Sequence, residues 1–185
     1  LKMYNIFSSY IHEEFFNFNT KEFKKEILKI KSKDKGRNVS NYGGWQSNGF
    51  VSVEKPFENL FNEINLIVKD IKNKLNIDKE LSLVNFWCNV NKFGSFNRPH
   101  DHLGSVISGV YYINTPKNCG QICFAAKNLD VFYKNITKFN EYNSSTWKFE
   151  PKENLCLFFP SYLTHYVEPN FNKKERISIS FNYGF

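Results

Sequence analysis

The chain has 185 residues, a formal net charge of +7 and a sequence pI near 9.1. Apolar residues make up 41% and aromatics 18%, with 20 Phe and 10 Tyr; this excludes disorder and favours large strand-rich cores. The length suits one domain able to bury roughly 70% of its unfolded surface, and no nucleic-acid reader motif accompanies the positive charge, much of which lies among glutamates in residues 21–35.

In chain order, residues 4–11 read as a first strand. Residues 20–31 predict a helix, with Thr20 as N-cap and Phe23, Ile27, Leu28 and Ile30 on its apolar side. Residues 32–44 are polar and rich in turn formers. Gly43 and Gly44 precede Trp45 and predict a tight turn beneath a large ring. Residues 57–76 predict the longest helix, since Phe57, Leu60, Phe61, Ile64, Ile67, Val68, Ile71 and Leu75 recur at three- and four-residue steps. This helix should lie across one side of a sheet.

From residue 81 the period changes to two. Over 81–91, Phe86, Cys88 and Val90 share one face, while Asn85, Trp87, Asn89 and Asn91 share the other. Further strands are expected at 105–113, 121–125, 146–149, 155–159 and 176–183, with an irregular excursion over 127–145. Many short strands indicate a β-barrel or sandwich. The organisation expected is a single domain over 1–185, with 1–80 as support and 81–185 as a β core.

Cys88 and Cys156 sit in apolar strand patterns, and Cys119 and Cys123 have no nearby Cys/His pair to complete a zinc site. No signal peptide or apolar run of membrane-spanning length is read, so a reduced, cytoplasmic protein without a membrane partner is expected. Oligomeric state is not legible.

The histidines carry the chemistry. His100 and His102 flank Asp101 in Asn97-Arg98-Pro99-His100-Asp101-His102, and His165 follows a strand pattern some 60 residues later. Non-haem ferrous oxygenases hold iron on one face with two His and one carboxylate, leaving positions for cosubstrate and O2. In an extended segment, residues two apart point the same way. His100, His102 and His165 are therefore the favoured ligand set, and Asp101 is the alternative if Pro99 and Gly104 turn the segment. His12 lacks a partner and reads as structural or solvated. Arg176 opens an apolar strand, and Ser178 shares its face. An arginine beside a hydroxyl can clamp the free carboxylate of an iron-chelating keto diacid such as 2-oxoglutarate. The competing reading is a sheet-edge arginine paired with Glu168 or Glu175. Either Tyr111 or Tyr112 offers an inward hydroxyl to that cosubstrate, and Asn89 and Asn91 either line the pocket or are solvated.

These stretches resemble the iron/2-oxoglutarate-dependent dioxygenase superfamily. Within it the chain is most similar to a group of 2-oxoglutarate/Fe(II) oxygenases of bacterial and marine-phage type. The matching segments are Ser40-Asn-Tyr-Gly-Gly-Trp-Gln-Ser47, Pro99-His-Asp-His102, Ser108-Gly-Val-Tyr-Tyr-Ile113, Leu157-Phe-Phe-Pro-Ser161 with His165, and Arg176-Ile-Ser-Ile-Ser-Phe-Asn182. The resemblance implies a mainly β, double-stranded β-helix (a cupin-like jelly roll) with supporting helices packed on one sheet. It implies Fe(II), 2-oxoglutarate and O2 as cofactor and cosubstrates. The metal motif falls on His100, His102 and His165, and the 2-oxoglutarate arginine on Arg176 with Ser178 nearby. His102 stands where the wider superfamily carries a carboxylate, which leaves the iron site one charge more positive. The activity implied is hydroxylation of a C–H bond, with 2-oxoglutarate converted to succinate. The substrate, whether small molecule, peptide side chain or nucleobase, is not readable. A composition rich in Asn, Lys, Phe and Ile fits an A+T-rich genome, and a phage-encoded protein would act in the host cytoplasm.

Two rivals remain at this point. A cupin-like three-His metal protein would share the fold and the metal without using 2-oxoglutarate. A non-enzymatic β-barrel binding module would carry the histidines incidentally.

Overall fold

The computed structural model describes residues 2, 8–126, 137–140 and 143–185. Helix α1 spans Thr20–Lys31 and α2 spans Glu58–Lys74. The strands are β1 (His12–Phe15), β2 (Asn41–Tyr42), β3 (Trp45–Gln46), β4 (Ser82–Asn91), β5 (Phe96–His100), β6 (Ile107–Asn114), β7 (Ile122–Ala125), β8 (Thr146–Phe149), β9 (Leu155–Pro160), β10 (His165–Val167) and β11 (Arg176–Gly184). They form two antiparallel sheets, a six-stranded one in the order β1-β9-β6-β11-β4-β3 and a five-stranded one in the order β2-β5-β10-β7-β8. This is the expected mainly β jelly roll with helices on one sheet.

Strand alternation sorts the core into two layers. On β9, Cys156 and Phe158 join the layer under the helices, while Leu155, Leu157 and Phe159 face the other sheet. On β4, Phe86, Cys88 and Val90 enter the helix layer, as the two-residue period predicts. Into that layer α1 inserts Phe23 and Ile27, and α2 inserts Leu60, Phe61, Ile64, Val68 and Ile71. The helices thus cover the outer face of the large sheet and leave its inner face to the functional cavity.

Several expectations shift in detail. Residues 4–7 of the first expected strand, and most of the excursion over 127–145, lie outside the described residues. Residues 8–11 are not strand; β1 begins at His12, which the sequence left without a partner and whose Nε2 lies 3.6 Å from the Glu14 carboxylate. The cap of α1 is Asn19, whose side chain accepts from the Lys21 amide, because the Thr20 hydroxyl is turned to Glu153. The glycine pressed under the Trp45 ring is Gly36, at φ +73°, where a Cβ would meet the indole. Gly44 instead makes room for the Asn91 side chain. Strands β2, β3, β5 and β10 were not foreseen; each is short, and its pairing comes from distant segments.

Gly109 on β6 shows how tightly the large sheet packs. A Cβ there would lie 2.7 Å from the Leu157 carbonyl oxygen, and closer still to the Phe181 ring. Gly109→Ala should therefore destabilise the fold by about 1–3 kcal/mol through overpacking, read as a lower urea midpoint. An unchanged midpoint would show that the Phe181 ring yields freely.

Candidate metal centre

Pairing across the small sheet builds the site. Strand β10 lies between β5 and β7, so His165 stands opposite His100 on one side and Phe124 on the other. His102 lies just past the end of β5, where its backbone amide donates to the Ser161 carbonyl at 2.8 Å. The segment is therefore strand up to His100 and a turn beyond it, yet both histidines face one cavity. Ring centroids lie 4.3 Å apart for His100 and His165, 5.0 Å for His102 and His165, and 5.2 Å for His100 and His102. One nitrogen from each of the three comes within 4.8 Å of the others. Asp101 does not join this group, although it also lines the cavity and its charge acts on all three rings.

The hydrogen bonds set the tautomers. Nδ1 of His100 lies 2.7 Å from the Arg98 carbonyl, Nδ1 of His165 lies 2.9 Å from the Leu163 carbonyl, and Nδ1 of His102 lies 2.7 Å from Asn182 Oδ1. Those oxygens only accept, so each Nδ1 carries the proton and each Nε2 presents a lone pair. Nε2 of His100 meets the Ser40 hydroxyl at 3.3 Å, whereas Nε2 of His102 is buried without any partner. A buried orphan acceptor is costly, and a cation at the centre of the cluster would satisfy it. Metal-binding histidines characteristically donate their other N–H to a carbonyl or similar group, and all three do so here. The Trp87 ring stacks on His102, with centroids 5.5 Å apart, and holds it in place.

The cavity between the sheets has a volume of about 370 Å³. Along β11, Arg176, Ser178, Ser180 and Asn182 all line it, opposite Asn91, Asn89, Trp87 and Asn85 of β4. Arg176 is 2% exposed. Its Nη1 donates to the carbonyls of Cys119 at 2.6 Å and Gly120 at 3.1 Å. No carboxylate pairs with it among the described residues: Glu175 goes to Lys31 at 2.9 Å and Glu168 to Lys148 at 2.6 Å. The sheet-edge ion-pair alternative is therefore absent. Burial pulls the guanidinium pKa down, and the neighbouring Tyr112 and Cys119 partly offset this; arginine nonetheless stays charged.

Of the two tyrosines, Tyr112 lines the cavity beside Arg176, where burial holds its phenol well above the ordinary range. Tyr111 is withdrawn from the cosubstrate set, because it points to the opposite face and its hydroxyl donates to Asn154 in the helix layer. Asn89 lines the cavity and donates to Ser180 Oγ at 3.1 Å. Asn182 and Ser40 received no role from the sequence. Asn182 had a signal, since it shares the two-residue period of Arg176 and Ser178. Ser40 had none, because a contact with His100 across 60 residues leaves no local trace.

Compared with solved structures, the chain is similar to a prolyl-4-hydroxylase from Pseudomonas putida (TM-score 0.69, 13% identity, covering 95% of this chain and 92% of that one). It is also similar to a Trichoplax adhaerens prolyl hydroxylase in complex with a hypoxia inducible factor peptide fragment (TM-score 0.62, 15% identity, 95% and 83%). A third likeness is to HygX from Streptomyces hygroscopicus with nickel, 2-oxoglutarate and hygromycin B bound (TM-score 0.60, 11% identity, 95% and 82%). At these identities the likeness is one of fold, and it places the chain in the double-stranded β-helix class. No curated protein matches the chain in sequence. The family model described as "Putative 2OG-Fe(II) oxygenase" matches residues 85–182, more than half of the chain. The chain thus belongs to this family of 2OG-Fe(II) oxygenases, and Fe(II) and 2-oxoglutarate are its cofactors. No described helix is long and apolar enough to cross a membrane.

Burial lowers the pKa of all three imidazoles, and the charge of His100 adds to the effect on the other two, bringing His102 down to about 4 and His165 to about 3 from an ordinary value of 6.5. Between the folded and unfolded values the unfolded chain binds more protons, so stability rises with pH in that window. The metal-free protein should therefore lose stability as pH falls from 6.5 towards 4, by on the order of 1 kcal/mol for each buried imidazole. Urea midpoints at pH 7 and pH 5 on chelator-treated protein check this. Equal midpoints would mean that the rings accept protons as freely as in the unfolded chain.

Proposed function

We propose that this oxygenase hydroxylates a C–H bond of its substrate, with His100, His102 and His165 holding the iron and Arg176 holding 2-oxoglutarate. The observation that carries the reading is a buried arginine without a counter-ion among the described residues, on the same strand face that anchors a metal-facing histidine. The balance is 2-oxoglutarate plus O2 plus R–H giving succinate, CO2 and R–OH, one oxygen atom entering succinate and the other the substrate. When bound, iron supplies the redox chemistry that couples loss of CO2 from 2-oxoglutarate to oxidation of the C–H bond.

The protein binds, orients and excludes water. Carbonyl contacts at Nη1 fix the Arg176 guanidinium and leave its remaining N–H groups for the distal carboxylate of 2-oxoglutarate. Ser178 and Tyr112 stand beside it with hydroxyls. Val110, Ile122 and Phe159 form an apolar wall that limits water near the reacting centre. Three neutral imidazoles leave the metal its full charge, which favours an anionic keto acid in the open positions. The hydroxylase names of two solved neighbours support hydroxylation as the outcome. Those neighbours and HygX also keep both peptide side chains and small molecules open as substrates.

Anaerobic titration of the metal-free protein with Fe(II), then 2-oxoglutarate, tests the reading through the weak visible charge-transfer band of the chelate. One equivalent should saturate the band. Arg176→Ala should weaken 2-oxoglutarate binding by about 100-fold, as expected for loss of a charged hydrogen-bonded pair, with iron affinity within a few-fold of wild type. His165→Ala should abolish iron binding. Iron binding without a band would favour a three-His metal protein that does not use 2-oxoglutarate. Equal loss of both ligands in Arg176→Ala would indicate misfolding instead.

A further inference from the structure

The cavity has a second cation besides the one proposed to hold the cosubstrate. Besides Arg176, Arg37 lines it. The Arg37 guanidinium reaches toward the end of the polar face of β4 and β11 opposite to Arg176. Arg176 stands opposite Asn91, and six residues further along β11 Asn182 stands opposite Asn85. Six residues of antiparallel strand span about 20 Å. Arg37 lies at the Asn85 end: its Nη2 is 3.7 Å from where a Cβ on Gly49 would sit, and the same point is 3.9 Å from Asn85 Cβ. Asn182 donates to Asn85 Oδ1 at 3.0 Å and accepts from His102 at 2.7 Å. Arg37 is thus on the histidine side of the cavity, away from Arg176.

2-Oxoglutarate has four C–C bonds of about 1.5 Å, so its two carboxyl carbons stand no more than about 6 Å apart. A molecule that chelates the metal through its keto-acid end and sets its other carboxylate on Arg176 has no further anionic group to offer Arg37. Among the described residues no group takes the Arg37 charge, since its side chain has neither an ion pair nor a hydrogen bond there. Asp34, on the same loop, spends its carboxylate on the amides of Gly36 and Asn48. Asp101, the carboxylate on the cavity wall, acts on the histidines. The backbone of Arg37 is nonetheless pinned. Its amide donates to the Gln46 carbonyl at 2.9 Å, and its carbonyl accepts from Asn41 Nδ2 at 3.1 Å. The side chain is exposed and uncompensated on a fixed stem.

We infer that Arg37 receives an oxyanion of the primary substrate, a carboxylate or a phosphate, and so selects for acidic substrates. The inference rests on the assignment of 2-oxoglutarate to Arg176. A guanidinium fork matches either oxyanion, and the amide of Asn85 adds a neutral polar group on the same side of the cavity. The positive net charge raises the local concentration of anions in the same sense.

The test measures substrate-stimulated succinate formation by the iron-loaded enzyme with matched probes. One arm compares N-acetyl amino acids with their amides; the other compares nucleoside 5′-monophosphates with nucleosides. The charged members of one arm should stimulate turnover at least 10-fold more than their neutral counterparts, and the arm that responds identifies the oxyanion. In Arg37→Gln the KM for the charged probe should rise 10-fold or more. Arg37→Lys should recover part of the loss, and the affinity for 2-oxoglutarate, read from the visible band, should stay within two-fold of wild type. Equal stimulation by neutral members, no stimulation by charged members in either arm, or an unchanged KM in Arg37→Gln would each overturn the inference. A wild-type enzyme without the visible band would strike the 2-oxoglutarate assignment instead.

Discussion

The antiparallel pairing of β4 with β11 is the contact on which the rest of the molecule depends. Side chains alternate across both strands, so one register decides two surfaces together. Phe86, Cys88, Val90, Ile177, Ile179 and Phe181 go outward beneath α1 and α2, each contributing up to about 1.5–3 kcal/mol of burial for the large residues. Arg176, Ser178, Asn182, Asn89 and Asn85 go inward to the cavity. A slip of one residue would expose the apolar set and bury a charge against the helices. The apolar face therefore holds the functional face in position.

The inner face carries a load that the outer face has to offset. A guanidinium without a counter-ion among the described residues and three imidazoles whose charged form burial disfavours are unfavourable in the ligand-free protein. Each is oriented by carbonyl or amide oxygens rather than neutralised by carboxylates. That choice leaves one uncompensated charge at Arg176 and one orphan lone pair at His102, complementary to a diacid and a metal. The small sheet is the thinner partner. Strand β10 has only three residues, yet its pairing with β5 and β7 sets His165 against His100.

The long helices and strands were legible because their signals are local. The 3.6-residue period over α2 and the two-residue period over β4 and β11 follow from which side must be dry, and the helix α1 agrees with its expected bounds. The histidine set and Arg176 were legible as residue types at telling spacing. The choice between Tyr111 and Tyr112 was not, because both are aromatic with a hydroxyl and an apolar strand tolerates either on either face. Only pairing with Ile179 and Ser178 of β11 turned Tyr111 to the helices and Tyr112 to the cavity.

Sequence by itself determined the fold class, which residues share a face on β4 and on β11, and the candidate chemistry of three histidines and an arginine. Those properties are written in neighbours two to four residues apart, where backbone geometry is fixed by the element. Tertiary structure alone decided that His100, His102 and His165 converge, that their Nε2 atoms rather than Nδ1 face one another, and that the Arg37 guanidinium reaches the Asn85 side of the cavity. These depend on pairings between segments tens of residues apart, on carbonyls that any residue could supply, and on loops whose course is set by what they pack against.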